Sequence, residues 1–251
     1  MLLSELVNFI KITIKRKIKM NKLRNMLIAA IAIVVLTTQA FAGNFGVGVS
    51  GSYANVGASG TGTEGTAADE SMQAAQVSAQ TAIGSVFAEY TLEGFGGMTF
   101  GLDYIPGAAD VSKGLSRTDT QLDGGVVVET GKTLRTYKAS AEVENHLTYY
   151  VELPIHAGLY VKGGLVQMDV NTTESGGQLK FGNTQLDGTV FGAGFKNDLG
   201  TNAYYKVEGT HQAFDTLNLT STDGVGATVN RTVIKADLDV TKITFALGYK
   251  F

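Results

Sequence analysis

The last eleven residues, 241–251, constrain the fold more than any other stretch of the chain. They read TKITFALGYKF, and alternate positions separate into two different faces. One face is entirely apolar and carries Ile243, Phe245, Leu247, Tyr249 and Phe251. The other face is small, polar or charged and carries Lys242, Thr244, Ala246, Gly248 and Lys250. Alternation with a period of two predicts a β-strand. An apolar face with several aromatic rings is typical of a strand that contacts lipid on one side and a barrel lumen on the other.

A short apolar run lies near the start of the chain. Residues 26–36, MLIAAIAIVVL, follow Lys22 and Arg24 and precede a small-x-small site at residues 40–42. This order predicts a secretory signal peptide that is cleaved before Gly43. A transmembrane anchor is the alternative, but the run is shorter than the ~20 apolar residues that a spanning helix needs. We expect a leader of residues 1–42, in which residues 1–19 are an over-extended start, and one domain of residues 43–251.

The charge and cysteine content of the chain narrow the function classes. The leader holds seven of the 20 basic residues and one of the 23 acidic residues, so residues 43–251 carry 13 basic and 22 acidic side chains. A domain this acidic lacks the basic footprint of a nucleic-acid-binding protein. The chain has no Cys, so disulfides, iron–sulfur clusters and thiol chemistry are excluded. No later apolar run reaches the length of a spanning helix, so any membrane insertion must use strands.

Period-two patterns predict eight strands, joined by connections that alternate between long and short. The predicted strands cover residues 43–54, 81–92, 98–105, 137–153, 158–173, 185–196, 203–215 and 230–251. The long loops are predicted at residues 55–80, 107–130, 174–183 and 216–229, with a helical turn at residues 72–80. In the fourth strand the even positions are predicted to face the lumen throughout. In the fifth strand the apolar positions change phase after Gly163 and Gly164, which predicts a bulge there.

This alternation and the C-terminal pattern resemble one family. Phe245, Leu247, Tyr249 and Phe251 resemble the assembly signal of small eight-stranded bacterial outer-membrane proteins, of the outer membrane protein A barrel, opacity and adhesion type. The resemblance implies an all-β fold, an eight-stranded antiparallel up-and-down transmembrane β-barrel, in the bacterial outer membrane. It also implies contact with outer-membrane lipid, with lipopolysaccharide and with the barrel-assembly machinery.

Nine charged residues fall on the predicted inward positions and form a candidate lumen charge network. They are Glu89, Asp103, Lys138, Glu142, Glu144, Lys162, Lys206, Glu208 and Lys242. The interior of an eight-stranded barrel is just wide enough for side chains. We therefore interpret the network as a structural ion-pair plug, in which Glu142 and Glu144 pair with Lys162 and Lys206. A gated ion pathway is the alternative.

The expected function is a structural or surface-recognition role, similar to adhesion, through an extracellular ligand bound by the outer loops. Loops on a rigid scaffold commonly carry recognition. A small-solute porin or channel is the alternative, and a lipid-modifying enzyme is a third hypothesis.

The sequence predicts no catalytic residue. His211, Asp215 and Ser221 form a loose catalytic candidate, but no GxSxG elbow occurs. His146 and His156 lack the spacing of metal ligands, so we expect neither a metal site nor a cofactor.

Overall fold

The computed structural model of the protein describes residues 43–66, 69–110, 115–119, 135–175, 181–221 and 233–251. These residues form one antiparallel barrel of eight long strands. The strands are β1 (Gly43–Thr66), β2 (Asp69–Leu92), β3 (Met98–Ile105), β4 (Arg135–His156), β5 (Leu159–Ser175), β6 (Thr184–Leu199), β7 (Ala203–Phe214) and β8 (Val233–Lys250). The predicted leader lies outside the described residues. Within the described ranges, no helix has the length and apolar character needed to cross a membrane.

Three short strands extend the barrel wall. Ala109–Asp110 and Leu115–Asp119 follow β3 and pair with β4, and Leu217–Thr220 follows β7 and pairs with β8. Their partner residues on β4 and β8 lie at the end of the barrel away from the short turns. The barrel wall therefore continues beyond the ends of β3 and β7, after an interruption, through these short strands.

The barrel is closed by its first and last long strands. Each long strand pairs with the next along the chain, and β1 pairs with β8 from Gly46↔Lys250 to Thr63↔Val233. Closure removes the two outer edges of the sheet, whose polar backbone groups cannot be left unpaired in lipid. The predicted eight-stranded antiparallel up-and-down barrel is confirmed.

The outer face of the barrel is apolar around the end that carries the short turns. On β8 the side chains of Ile243, Phe245 and Leu247 are exposed, whereas Lys242 and Thr244 on the opposite face are buried. The same arrangement holds on β1, where the exposed large residues are Phe45, Val47, Val49 and Tyr53. Apolar residues outside and charged residues inside are the reverse of a water-soluble core, and they define a lipid-facing belt.

The first predicted long loop is wrong, and so is the helical turn within it. β1 and β2 pair without a break from Gly43↔Leu92 to Thr66↔Asp69, so residues 55–66 and 69–80 belong to a long hairpin. Above Tyr53 the outward side chains are polar or small, as at Asn55 and Ser59. A strand that meets water on its outer face needs no apolar alternation, which is why the strand pattern is missing there.

The other long loops are shorter than predicted where the structure describes them. Strands reach residue 119 in the second loop, residue 175 in the third and residue 220 in the fourth. Residues 111–114, 120–134, 176–180 and 222–232 lie outside the described residues.

A bulge divides β4 into two parts, which differ in whether the odd or the even residues face inward. Its register against β5 shifts between Glu144 and Leu147, and Asn145 has a φ of 51°, in the left-handed region. One extra residue reverses which side chains face inward. Below the bulge Tyr150 is buried inside the barrel, and above it Val143 packs against the interior apolar residues.

The inward positions predicted for Glu142 and Glu144 are therefore wrong. Glu142 is exposed and neighbours the inward-facing Val143. Glu144 lies opposite Asp169, which points outward between the buried residues Met168 and Val170. The period-two pattern of β4 cannot reveal the bulge, because Glu142 and Glu144 continue the charged alternation across it.

The bulge predicted at Gly163 and Gly164 is also wrong. β5 pairs continuously with β4 from Tyr160↔Pro154 to Gln167↔Leu147, and continuously with β6 from Leu159↔Phe195 to Val170↔Thr184. The apolar positions change phase because the interior itself becomes apolar. Val166 and Met168 face inward and are buried there.

Candidate functional site in the barrel interior

The described interior residues form three successive layers along the barrel. The charge cluster, nearest the short turns, consists of Glu89, Glu152, Lys162, Lys196, Lys206 and Glu208. The polar layer lies above it and consists of Asp103, His146, Thr148, Thr210, Gln212 and Lys242. The apolar cluster lies at the far end and consists of Val166, Met168, Val170, Leu186, Phe214, Leu217, Leu219 and Leu238. The order follows from the strands: on β7, alternate residues pass from Lys206 through Gln212 to Phe214.

Glu89 on β2 has the largest number of hydrogen-bond partners in the charge cluster. Its carboxylate accepts hydrogen bonds from Tyr150 at 2.7 Å, from Tyr204 at 2.9 Å and from Lys196 at 3.2 Å. It also pairs with the ammonium of Lys206 on β7. Glu89 is 2% exposed, so four donors replace the water that this carboxylate loses on burial.

Two further carboxylates complete the charge cluster. Lys206 Nζ donates to Glu152 Oε1 at 2.6 Å, and Lys162 Nζ donates to Glu208 Oε1 at 2.9 Å and Oε2 at 3.0 Å. Tyr160 donates to Glu208 Oε2 at 2.9 Å. Lys206 thus joins carboxylates from β2 and β4 across the interior.

The charge cluster is electrically balanced, with three carboxylates and three ammonium groups. Aromatic rings add further contacts, since Lys162 Nζ lies 3.7 Å from the centroid of the Tyr150 ring. Buried charges are tolerated when they are paired and hydrogen-bonded, and an uncompensated one is strongly destabilising. The carboxylates and ammonium groups of this cluster therefore neutralise one another.

The nine predicted lumen residues fall into three groups. Glu89, Lys162, Lys206 and Glu208 lie together in the charge cluster. Asp103 and Lys242 lie in the polar layer, where Ser85 donates to Asp103 Oδ2 at 2.6 Å. Glu142 and Glu144 face away from the interior, and the side chain of Lys138 lies outside what the structure describes.

Two charged members of the cluster are missing from the predicted network. Glu152 and Lys196 both lie on predicted inward positions, in phase with Tyr150 and Gly194 on their strands. The period-two pattern contains the signal for both residues. The alternation is harder to follow at the end of a strand, because few residues remain before the predicted turn begins.

Two cavities reach the barrel interior at different levels. One, of about 390 Å³, lies beside the short turns and is lined by residues that include Thr99, Glu152, Tyr160 and Lys196. The other, of about 400 Å³, reaches the polar layer and is lined by residues that include His146, Gln212 and Lys242. They share no lining residue, and the buried side chains of Lys206 and Tyr150 lie between them.

The histidines are separated from one another. His146 Nε2 contacts Gln212 Oε1 at 3.0 Å inside the barrel, whereas His211 Nδ1 contacts Thr241 Oγ1 at 3.0 Å on the outer face. His156 is exposed beside the turn between β4 and β5. In the described part of the chain, no three His, Asp or Glu side chains come together as metal ligands.

The C-terminal pattern lies on the lipid-facing belt. Phe251 stacks on Phe45 with 6.1 Å between ring centroids and contacts the edge of Tyr249 at 5.1 Å. Its backbone N–H donates to the carbonyl of Phe45 at 2.9 Å. Phe245, Leu247 and Tyr249 are exposed on the same face.

Comparison with known proteins places the similarity at the level of the fold. No family model and no curated protein matches the sequence. Among solved structures, the outer membrane protein OprG from Pseudomonas aeruginosa matches with a TM-score of 0.44 and 13% identity, over 84% of this chain and 97% of that one. The outer membrane protease OmpT from Escherichia coli gives a TM-score of 0.41 and 11% identity, over 83% and 97%.

The attachment invasion locus protein Ail of Yersinia pestis gives a TM-score of 0.38 and 10% identity, over 82% of this chain and 99% of that one. Similarities at these levels carry no information about activity or ligand. The chain's own closed barrel, lipid-facing belt and buried charges make it an eight-stranded transmembrane β-barrel.

Proposed function

We propose that the barrel is a non-conducting outer-membrane protein with a structural or surface-recognition role, carried by the strands and loops above the lipid-facing belt. The observation that carries the proposal is the contact of Lys206 with both Glu89 and Glu152 across the interior. With these side chains buried and paired, the narrow lumen of eight strands is filled at that level. A porin instead needs a continuous water path.

The long hairpin of β1 and β2 supports the second half of the proposal. Tyr53 is the last large exposed apolar residue of β1, and pairing with β2 continues for thirteen further residues to Thr66. The hairpin therefore extends well beyond the lipid-facing belt. Polar segments displayed on a rigid scaffold are suited to recognition.

The proposal assigns no catalytic step to the barrel. In support, His211 contacts Thr241 and lies 5.2 Å from the ring of Phe191 on the outer face, in a setting suited to a membrane boundary. A channel is the competing function, and conductance separates the two.

The conductance test compares the wild type, Lys206→Ala and Lys235→Ala in planar lipid bilayers. We expect little steady conductance from the wild type and from Lys235→Ala, because Lys235 is exposed above the belt. Lys206→Ala should leak more, since it leaves Glu89 and Glu152 without their shared cation. Large, steady conductance of the wild type that is unaffected by Lys206→Ala would identify a porin instead.

The recognition test shortens the β1–β2 hairpin. Gly57 and Ser78 are partners, so an Asn-Gly turn in place of residues 58–77 keeps the register. Cells that display equal amounts of the wild type and the shortened barrel are compared for adherence to matrix-coated glass. Loss of adherence with intact folding supports recognition by the hairpin. Unchanged adherence would exclude this hairpin as the recognition element.

A further inference from the structure

We propose that the cavity beside the polar layer binds a small amphiphile with a carboxylate head group and an apolar body. The site is formed by an edge of β2 that has no second strand partner among the described residues, by apolar walls and by hydrogen-bond donors at its inner end. It is independent of the surface role proposed above, because it lies in the wall and interior of the barrel.

The cavity opens where β2 loses its second partner. Pairing between β2 and β3 runs from Leu92↔Met98 to Val86↔Tyr104, and β3 ends at Ile105. Pro106 follows, and proline has no backbone N–H to continue a ladder. Among the described residues, the part of β2 before Val86 pairs only with β1. Residues 79–84 of this edge and residues 105–108 face each other across the cavity.

The opening lies at the upper boundary of the lipid-facing belt. Ala82, which lines the cavity, is the partner of Tyr53, the last large apolar residue exposed on β1. An unpaired strand edge is excluded from hydrocarbon unless it lines a cavity. A molecule that enters here comes from the outer leaflet or its water interface.

The inner end of the cavity carries polar atoms without partners. His146 and Gln212 are 8% and 1% exposed, and His146 Nδ1 and Gln212 Nε2 are buried with no hydrogen-bond partner. His146 holds the amide oxygen of Gln212 at 3.0 Å, which turns the amide Nε2 away from that contact. A buried polar group without a partner costs about 1–3 kcal/mol. Both residues line the cavity, so a hydrogen-bond acceptor there can accept from Gln212 Nε2.

Lys242 supplies the charge that selects the head group. It is 7% exposed, it lines the cavity, and it takes part in no ion pair within the described part of the chain. The carboxylate that faces it is that of Asp103, whose Oδ2 accepts from Ser85 and whose Oδ1 is buried without a hydrogen-bond partner among the described residues. An ammonium and an amide N–H₂ at one end of a cavity match a carboxylate, which accepts from both. A cationic head group would instead meet Lys242.

The remaining walls are suited to an apolar body. Ile83, Ile105, Val143, Met168, Leu238 and Val240 line the cavity. Its volume of about 400 Å³ lies within the ~300–1,000 Å³ range of small-molecule sites, which combine apolar walls with a few placed polar groups. An acid with a short apolar chain therefore fits both ends of this cavity.

The test titrates the barrel, folded in a neutral maltoside detergent, with dansyl-labelled undecanoate and with the matching dansyl alcohol. We expect saturable binding of the carboxylate and weaker binding of the alcohol. Lys242→Met should weaken carboxylate binding about tenfold or more, because it removes a charged hydrogen bond, and leave the alcohol unchanged. Lys235→Met, an exposed lysine on the same strand, is the matched control and should change neither.

A second variant keeps the test decisive if Lys242→Met does not fold. Ala82 is exposed at the opening, so Ala82→Trp narrows the entrance without touching the buried polar layer. It should also reduce carboxylate binding. Equal binding of acid and alcohol, or unchanged carboxylate affinity in both variants, would overturn the proposal. Absence of saturable binding would overturn it as well and would indicate a cavity that holds water only.

Discussion

The ring of Tyr150 occupies the space in which a Cβ on Gly101 would lie. Gly101 and Tyr150 are partners on adjacent strands, and a Cβ atom added to Gly101 would come within 2.2 Å of Tyr150 Cζ. Gly248 has the same relationship to Tyr204, again at 2.2 Å. Each of these tyrosines reaches Glu89 by lying flat over a glycine on a neighbouring strand.

The first prediction tests this packing. Gly101→Ala should lower the free energy of unfolding by about 1–3 kcal/mol, because Tyr150 must move and its hydrogen bond to Glu89 is lost. Urea unfolding in lipid vesicles measures the change. Gly163→Ala is the control, since nothing lies within 4 Å of a Cβ there. Equal stability of the two variants would show that the close contact has no energetic consequence.

The second prediction concerns the cation shared by two carboxylates. Lys206→Met should destabilise the folded barrel by about 3–5 kcal/mol, since Glu89 and Glu152 are left buried without it. The change is measured by the same urea titration. Lys235→Met is exposed and should stay within about 0.5 kcal/mol of the wild type. A Lys206→Met barrel as stable as this control would contradict the proposed energetic role of the charge cluster.

The sequence predicts the transmembrane part of the fold well, because lipid outside and a filled lumen inside impose a strict period of two. β8 is the clearest case, with Phe245 exposed and Lys242 buried as expected. The same constraint identifies four members of the charge cluster. Above the belt, water meets the outer face of the barrel and the constraint disappears, so the strands at residues 55–66 and 69–80 carry no readable pattern.

Two features of the interior cannot be predicted from the sequence, for a different reason. The bulge at Asn145 keeps charged residues on alternate positions, so it is invisible in the pattern of Glu142 and Glu144. The change of phase on β5 predicts a bulge from the pattern alone, whereas Val166 and Met168 are apolar because the lumen is apolar at that level. A period shows which side chains share a face, but not what that face contacts.

The third prediction tests the backbone at the bulge. Asn145 has a φ of 51°, which favours Asn or Gly over β-branched residues. Asn145→Val should therefore be about 1–2 kcal/mol less stable than Asn145→Gly in urea titrations. Asn145 also donates to Asp169 at 2.9 Å, and Gln185 donates to the same carboxylate at 3.3 Å, so Asp169→Ala is the control for loss of these hydrogen bonds with the backbone at Asn145 unchanged. A Val variant as stable as the Gly variant would mean that the bulge moves elsewhere.

The fourth prediction concerns assembly in cells. The side chain of Phe251 is 70% exposed. Among the described aromatic residues, its ring contacts those of Phe45 and Tyr249, both on the lipid-facing belt. The folded barrel therefore loses little packing when Phe251 is deleted. If the C-terminal pattern is a recognition signal, deletion of Phe251 should cause periplasmic accumulation while the purified chain still refolds in detergent. Leu199→Ala, an exposed apolar residue at the same end, should assemble normally. The measurement is the fraction of the chain in outer-membrane and periplasmic extracts. Normal membrane insertion without Phe251 would exclude an essential signalling role, and failure to refold in detergent would assign the defect to stability instead.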